Sequence, residues 1–364
     1  MKIAEIIQTI EDFAPLSCQE SYDNSGLLVG DKAAECTGVL VCLDTIESVI
    51  EEAISRKCNL VVAHHPIVFS GLKKITGKNY IERTVLRAIK QDIAIYAVHT
   101  NLDNMRLGVN DAIAKKLGLV NCEILEPKQD ILKKLSTYAP IASRDVLLNG
   151  LFAAGAGDIA NYSECSFSSE GLGTFKGNEF SNPVVGQKHL RSDEAEVKLE
   201  LIYPAYLEAI VLEALFKHHP YEEVAYEVIA LDNVYQGVGS GLIGQLEYPM
   251  VAKDFLSFLK VQMQTALIRH TALSGKPIQR VAVCGGAGSF LLEKAIQQNA
   301  DIFISADFKY HQFFDADGKI IIADIGHYES EQFTMDLLSD LLKASSPSLL
   351  VCITQQKTNP VHYL

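Results

Sequence analysis

Short apolar runs alternate with amphipathic stretches near both ends of this sequence, and this rhythm constrains the fold more than any other feature. GVLVCLD, NLVVAHH and IAIYAVHT, between residues 38 and 100, are typical of strands buried on both faces. SVIEEAISR and YIERTVLRAIK, which separate them, have helical spacing. The rhythm returns between residues 279 and 354, in QRVAVCGG, DIFIS, KIIIADIG and SLLVCIT. The sequence therefore predicts an α/β fold with a mostly parallel sheet covered by helices.

The middle of the chain, from Pro127 to Asn233, has a different pattern. KLSTYAP, EVKLELIYP and EEVAYEVIAL are typical of strands, and RDVLLNGLFAAG and AYLEAIVLEALFKHH of helices. A βαββαβ order of this kind predicts a ferredoxin-like α+β domain inserted within the α/β fold. We expect a first α/β half at residues 1–126, the inserted domain at 127–233 and a second α/β half at 234–364. The two halves would either pack into one sheet system or face each other.

Charge and composition exclude several classes of protein. The formal charge is −13, from 45 acidic and 32 basic residues, which disfavours a protein that binds nucleic-acid backbones. The apolar runs are too short to span a membrane, and MKIAEIIQTIEDF predicts a first helix rather than a signal peptide. The eight cysteines are scattered without a CxxC pair, as in a reducing compartment. We expect a cytoplasmic protein with no membrane partner, for which nucleic acid is an unlikely ligand.

Polar side chains follow the points where the strands of the α/β halves should end. Open α/β sheets place their ligand crevice at the carboxyl ends of strands, so these side chains should converge from distant segments. Imidazole and carboxylate groups together suit zinc, iron or manganese, and the sequence therefore indicates a metal site. The residues at these ends are His64, His65, His99, Asp103, Asp307, His311, His327 and Glu331.

The adjacent histidines His64 and His65 raise a geometric question. Neighbouring side chains on an extended segment point to opposite sides, so the two imidazoles should not bind one ion together unless the turn before Pro66 brings them together. One histidine for each of two ions is the more natural arrangement, which favours a dinuclear centre. His327 and Glu331 would share one side of a helix, where they could bind one ion or help bridge two.

Three other motifs have simpler interpretations. The second HHP, at residues 218–220, follows a helical stretch, and its histidines favour a structural role at the helix C-terminus. GGAGSF, at residues 285–290, could be a turn that binds phosphate or a point of close strand–helix packing. The polar stretch Tyr22–Gly26 is typical of a connector.

Six motifs in order along the chain carry a family resemblance: YDNSGLLVG, VVAHHP with GLKKITG, HTNLDN, CGGAGS, SADFKYHQ and IADIGHYESE. With them the chain resembles the GTP cyclohydrolase I type 2 homologue family, also called the Nif-three-like family, over almost its whole length. The resemblance implies the Nif-three-like fold, formed by the two α/β halves, and a ring-shaped homohexamer whose metal sites face an internal cavity. The insert resembles the PII- or CutA-like module of longer bacterial members.

The resemblance also implies two divalent metal ions. The ligands would be the doublet histidines, the aspartate of HTNLD, and the histidine and glutamate of GHYxxE, with the glutamate contacting both ions. In this chain these ligands are His64, His65, Asp103, His327 and Glu331. Two positions depart from the family pattern: Tyr22 stands where Trp is common, and Ala306 replaces the glycine of a TGD segment. The loss of that glycine would remove a close backbone approach to the substrate.

Two functions of different classes follow. The first is a dinuclear metal-dependent hydrolase of a nucleotide, such as GTP, or of a related phosphorylated heterocycle. One ion would supply hydroxide and the other would polarise the group attacked, with His99 or His311 as general acid or base. The alternative is a metal-binding regulatory or scaffold protein without catalysis, which a PII-like insert favours. A coordination position left open on each ion would indicate an enzyme. Complete coordination by protein ligands would indicate a structural site.

Overall fold

The computed structural model describes residues 1–184 and 186–364, and the chain forms two compact units. One unit joins Met1–Pro127 to Gly237–Leu364, and the other is Lys128–Gln236. The elements of the first segment are α1 (Ile3–Phe13), β1 (Gly26–Val29), β2 (Val39–Cys42), α2 (Glu47–Ser55), β3 (Leu60–Ala63), α3 (Tyr80–Lys90), β4 (Ala94–Ala97), α4 (Thr100–Asp103), α5 (Val109–Lys116) and β5 (Val120–Pro127).

The remaining elements follow in chain order. The inserted unit contains β6 (Leu132–Pro140), α6 (Arg144–Ala153), β7 (Phe167–Lys176), β8 (Arg191–Pro204), α7 (Glu208–His218) and β9 (Tyr226–Leu231). The rest of the larger unit contains β10 (Gly239–Val251), α8 (Ala252–Gln262), β11 (Arg269–His270), β12 (Pro277–Val283), α9 (Leu292–Gln297), β13 (Ile302–Ser305), β14 (Ile321–Asp324), α10 (His327–Glu331), α11 (Thr334–Ser345) and β15 (Val351–Ile353). Among the described residues, no helix combines the length and apolarity that crossing a bilayer requires.

The first sheet has the strand order β1-β4-β3-β2-β15. Four of its strands are parallel, and β1 is antiparallel at one edge. Every residue of β2, β3 and β4 is buried, as expected of short apolar strands in a parallel sheet that is covered on both faces. The prediction that the three apolar runs form buried parallel strands is confirmed.

The second sheet has the order β11-β14-β13-β12-β10-β5. Its centre is parallel, and β10 runs antiparallel to both β12 and β5. The two halves exchange strands, because β15 joins the first sheet and β5 joins the second. They form two sheets rather than one, with a shared core in which Tyr96 and Val98 belong to the same buried cluster as Val281 and Ile304.

The segments that follow β3, β4, β13 and β14 carry the predicted site residues. β3 ends directly before His64, β4 ends two residues before His99, and α10 begins at His327 after β14. Because β3 and β4 are parallel neighbours, their carboxyl ends meet at the same sheet edge. The two sheets thus bring residues that are distant in sequence to one place.

The inserted unit has the βαββαβ element order that the sequence predicts. Its four strands form an antiparallel sheet in the order β7-β8-β6-β9. Leu147 of α6 and Val211 of α7 lie in one buried cluster with Leu135 and Leu199 of the sheet, so the unit has a core of its own.

The second HHP lies in this inserted unit. His218 is the last residue of α7. The backbone N–H of Tyr221 donates to Nδ1 of His219 (3.1 Å), and Nε2 of His219 donates to the carbonyl oxygen of Tyr138 (3.0 Å). Both ring nitrogens of His219 are therefore used within the unit, which supports a structural role for His219; stabilisation of the helix end by the two histidines stays a prediction.

Candidate metal centre

Four histidines gather at the ends of the parallel strands of the larger unit. The ring centroid of His65 lies 4.9 Å from that of His64, 5.5 Å from that of His99 and 5.2 Å from that of His327. The expectation that the doublet rings point to opposite sides is wrong, because the backbone bends at His64 and His65 directly after β3. The bend places both imidazoles on the same side.

Each of these four rings is oriented through its Nδ1 atom. The acceptors are the carbonyl oxygen of Val98 for His64 (2.9 Å), Asp44 Oδ1 for His65 (2.7 Å), Asp23 Oδ1 for His99 (2.7 Å) and Asp307 Oδ2 for His327 (2.7 Å). An oxygen acceptor at Nδ1 holds the proton there and leaves the Nε2 lone pair for a metal ion. Such oriented imidazoles are the usual form of metal-ligating histidine.

Glu331 divides the donor atoms into two groups. Its Oε1 lies 3.8 Å from His64 Nε2, which in turn lies 3.5 Å from Asp103 Oδ1. Its Oε2 lies 3.0 Å from His65 Nε2 and 3.1 Å from His327 Nε2. Ligand atoms of His64, Asp103 and Glu331 form one close group, and those of His65, His327 and Glu331 form another; a third close group, of His64, His65 and His99, does not include Glu331. All five predicted ligands therefore come together, with Glu331 common to the first two groups.

Two of these ligand atoms are buried without a partner. Within the described part of the chain, His64 Nε2 and Asp103 Oδ1 are enclosed and have no hydrogen-bond partner. A buried polar atom without a partner costs free energy, and such atoms in native proteins call for an explanation such as an ion. The chemistry of the donor set, imidazole nitrogen with carboxylate oxygen, fits zinc, iron or manganese. These residues therefore fit a divalent ion.

The carboxylates of the site stabilise positive charge on the histidines beside them. Burial alone would lower the pKa of His65, but hydrogen bonds to Asp44 and Glu331 and their charges raise that pKa to about 10. For His327, the effect of burial is likewise outweighed by Glu331 and Asp307, and the pKa is raised to about 9. Without an ion, protons balance these carboxylates, and a cation that displaces them meets a favourable field.

The pKa values of Asp103 and Glu331 shift in opposite directions. Burial and the charge of Glu331 raise the pKa of Asp103 to about 7. Burial would raise the pKa of Glu331 as well, but the histidines around it outweigh burial and hold that pKa well below its usual value. Glu331 therefore stays ionised, and a cation bound nearby would lower the pKa of Asp103 and favour its ionised form.

The glycine-rich turn packs against the centre and does not bind phosphate through its glycines. The N–H groups of Gly285, Gly286 and Gly288 donate to the side chains of Asn110, Ser330 and Ser305. The phosphate-binding interpretation is therefore wrong for these three amides, and the close-packing alternative holds. Gly286 has φ +62°, and a Cβ there would lie 2.4 Å from Glu331 Oε1.

Sequence reasoning missed two acids. The interpretation of Tyr22–Gly26 as a simple connector is wrong for Asp23, which accepts from His99 Nδ1 and from both N–H and hydroxyl of Thr100. Burial would raise the pKa of Asp23, but these bonds outweigh it and lower the pKa. Asp44 was also missed, although it follows the apolar run of β2 and the strand-end rule that selected the histidines could have found it.

Two other predicted positions lie apart from the ligand groups. His311 is exposed, and the ring contacts found for it are with Tyr310 and Phe314. Ala306 is fully buried and its N–H donates to the carbonyl oxygen of Gly286 (2.9 Å). Its side chain therefore faces the core, and the missing glycine of the family pattern does not affect an exposed approach to the centre.

A cavity of about 620 Å³ borders the histidines. His65, His99 and His327 lie in its wall, together with Phe69 and Arg269. Arg269 is already paired with Asp324 and donates to the carbonyl oxygen of Phe308 (2.9 Å). The group of ligand atoms that contains His65 and His327 (the His65 side) therefore borders open space. His64 belongs to the other group (the His64 side) and is completely buried.

Fold and site together define a mixed α/β protein with a candidate metal centre at the carboxyl ends of its strands. The chain belongs to the Duf34/NIF3 (NGG1p interacting factor 3) family, whose model matches residues 1–360.

Relatives and solved structures agree with this membership. A Bacillus subtilis (strain 168) protein named GTP cyclohydrolase 1 type 2 homolog is 35% identical over 99% of this chain and 98% of its own. A Halalkalibacterium halodurans protein of the same name is 37% identical over all of both chains. The crystal structure of a Bacillus cereus protein related to NIF3 superposes with a TM-score of 0.88 at 34% identity, covering 100% of this chain and 99% of that one. The family resemblance found in the sequence is confirmed.

Proposed function

We propose that this chain is a metal-dependent hydrolase that uses two divalent ions on a nucleotide or a related phosphorylated heterocycle. The observation that carries the proposal is the position of Glu331, whose two carboxylate oxygens lie toward different groups of ligand atoms. Two donor groups that share one carboxylate suit two ions with that carboxylate between them. Because the similar proteins are named GTP cyclohydrolase 1 type 2 homolog, GTP is the first substrate to test.

The cavity favours a catalytic over a structural role for the ions. Structural sites are closed by protein ligands, whereas catalytic sites keep a position open to water or substrate. His65 and His327 border the cavity, so an ion held by them would face space that a substrate can enter. His64 and Asp103 supply the more enclosed side of the centre.

The residues around the cavity have separate roles in this proposal. Divalent ions supply Lewis acidity, which activates water near neutral pH and polarises the group attacked. His64, His65, Asp103, His327 and Glu331 hold the ions. His99 borders the cavity, and its Nδ1–H donates to Asp23, which fixes the orientation of the ring toward that space. His99 is therefore the proposed carrier of a proton between substrate and solvent, and His311 is left without a role.

An exposed aromatic side chain, Phe69, lies next to His99, and a second, Tyr22, lies next to Phe69. Phe69 lines the cavity with 48% of its surface exposed, and Tyr22 is 65% exposed. The Phe69 ring centroid lies 6.3 Å from that of His99 and 6.4 Å from that of Tyr22. Exposed aromatic rings beside a polar centre suit a planar heterocycle, which stacks on them. This arrangement supports a substrate with a nucleobase-like ring.

The inserted unit supports the alternative function. Its βαββαβ order and antiparallel sheet are those of a ferredoxin-like module, and we propose that it is PII- or CutA-like. Such a module would suit a metal-binding regulatory or scaffold protein without catalysis. Coordination of each ion by protein atoms alone, with no water, would favour this alternative.

Turnover of GTP by the metal-loaded chain tests the proposal. We expect Phe69→Ala to raise KM for GTP about tenfold with little change in kcat, because stacking of one base contributes about 1–3 kcal/mol. Product formation followed by mass spectrometry gives both constants, and metal content should equal that of the wild type.

Phe290→Ala is the matched control, since Phe290 is also exposed (62%) but does not line the cavity. It should leave KM unchanged. If the fully loaded wild type converts neither GTP nor other phosphorylated heterocycles, the hydrolase proposal is wrong. An unchanged KM in Phe69→Ala would remove the stacking role alone.

A further inference from the structure

The segment Thr354–Leu364 follows β15 and is fastened to the first sheet at its start. The N–H of Thr354 donates to the carbonyl oxygen of Val41 (2.9 Å). The Thr354 hydroxyl donates to Glu52 Oε2 (2.6 Å), and the N–H of Gln355 donates to Glu52 Oε1 (3.0 Å). Glu52 is buried, so these bonds fix where the segment begins.

Thr358, four residues further on, reaches the outer side of the metal centre. It is buried (8% exposed), and its hydroxyl donates to Asp44 Oδ2 (2.7 Å). The other oxygen of the same carboxylate, Oδ1, accepts from His65 Nδ1 (2.7 Å). A hydrogen-bonded relay therefore runs from Thr358 through Asp44 to His65, and each carboxylate oxygen has its own partner.

Beyond Thr358 the segment reaches the cavity. Asn359, Val361 and Tyr363 line the same space as His65 and His327. The Asn359 side-chain amide donates to Glu329 Oε1 (3.1 Å), and Glu329 belongs to α10, the helix that carries two candidate ligands. The segment thus touches Asp44, which orients His65, and the helix that carries His327 and Glu331.

We propose that Thr358 is a positioning residue for His65: its hydroxyl fixes the rotation of the Asp44 carboxylate, and the segment Thr354–Leu364 acts as a strap across one wall of the cavity. The inference rests on the proposed metal centre. A ligating imidazole binds well only when its ring is held in the right plane, and groups beyond the ligands set that plane. Without the hydroxyl, Asp44 can rotate and the His65 ring is held less firmly.

Thr358→Val tests this role because valine has nearly the same shape without the hydroxyl. Loss of a group that orients a metal-ligating histidine lowers metal affinity about 10- to 100-fold, and Thr358 acts one step further out. We therefore expect about tenfold weaker binding of one zinc ion, the one on the His65 side, in the full chain titrated with zinc against a chelator. Thr358→Ser restores a hydroxyl and should return the affinity to within about threefold of wild type.

Thr137→Val is the matched control. It removes a buried threonine hydroxyl that donates to the carbonyl oxygen of Ala225 (2.9 Å) in the inserted unit, so it should leave zinc affinity unchanged. Thr358→Ala is measured in parallel as a second variant and should shift the affinity in the same direction as Thr358→Val. Equal zinc affinity in Thr358→Val, Thr358→Ala and wild type would overturn the proposal.

A second readout separates this inference from the proposed function. In the metal-free chain, the Nδ1 proton of His65 should exchange with solvent about tenfold faster in Thr358→Val than in wild type, measured by NMR of labelled histidine. If the wild type binds no zinc but this exchange still accelerates, the metal centre is wrong and the positioning role stands. Unchanged exchange together with unchanged affinity refutes the positioning role.

Discussion

Glu331→Gln is expected to abolish metal binding in both ligand groups at once. Its oxygens lie 3.8 Å from His64 and 3.0 Å from His65, so one side chain serves both groups. The amide keeps the shape but removes the negative charge that offsets two divalent ions. Loss of a ligand should exceed the cost of losing an outer partner, so we expect affinity for each ion to fall more than about 100-fold. Zinc titration and metal analysis of the purified variant measure the effect, and GTP turnover should disappear with the ions.

Glu329→Gln is the control for this substitution. Glu329 lies in the same helix and is similarly buried, but it accepts from Asn359 and belongs to neither ligand group. Glutamine keeps an oxygen that can accept this bond, so metal content should stay at the wild-type value. A Glu331→Gln protein that still holds two ions would show that the carboxylate is not shared between them.

Gly286→Ala is expected to damage the centre without removing any ligand. Gly286 has φ +62°, a conformation that costs an L residue about 1–2 kcal/mol. A methyl group there would also lie 2.4 Å from Glu331 Oε1. Glu331 is 3% exposed and its Oε2 lies within 3.1 Å of His65 and His327, so it can move away only by leaving its ligand position. We expect at least about tenfold weaker binding of the ion on the His64 side, measured by zinc titration.

Gly118→Ala separates backbone strain from collision. Gly118 has φ +64°, but a Cβ there meets nothing within 4 Å. Gly118→Ala should lose unfolding free energy through the same backbone strain as Gly286→Ala, but its zinc affinity should equal that of the wild type. Equal zinc affinity in Gly286→Ala and Gly118→Ala would mean that Glu331 tolerates the methyl group, and hence that Oε1 is not fixed by a bound ion.

Sequence periodicity predicted the elements that position the site. The runs before His64 and His99 are fully buried strands, and β14 leads to the helix that begins at His327, because short apolar runs between amphipathic helices have few other stable arrangements. Open α/β sheets place their ligands at the carboxyl ends of parallel strands. For this reason, residues from distant segments were expected to converge there. Exchange of β5 and β15 between the sheets was not predicted, because strand pairing depends on tertiary contacts that periodicity does not encode.

Local geometry was harder to predict than the choice of residues. His64 and His65 were expected on opposite sides of an extended segment, but a bend after β3 turns both rings the same way. Asp23 was interpreted as part of a turn, since Asp is common in turns, and its bond to His99 spans most of the first segment. Gly285 and Gly286 matched a phosphate-binding pattern, but their amides donate to Asn110 and Ser330. A local bend decided the first case, and a partner distant in sequence decided the other two.

The most direct test of the account is the location of bound metal in crystals of the zinc-loaded full chain. Diffraction data collected on both sides of the zinc absorption edge reveal where the ions lie. The account predicts two anomalous peaks per chain, one beside His64, Asp103 and Glu331 Oε1 and the other beside His65, His327 and Glu331 Oε2. A single peak, or peaks that do not contact Glu331, would contradict it.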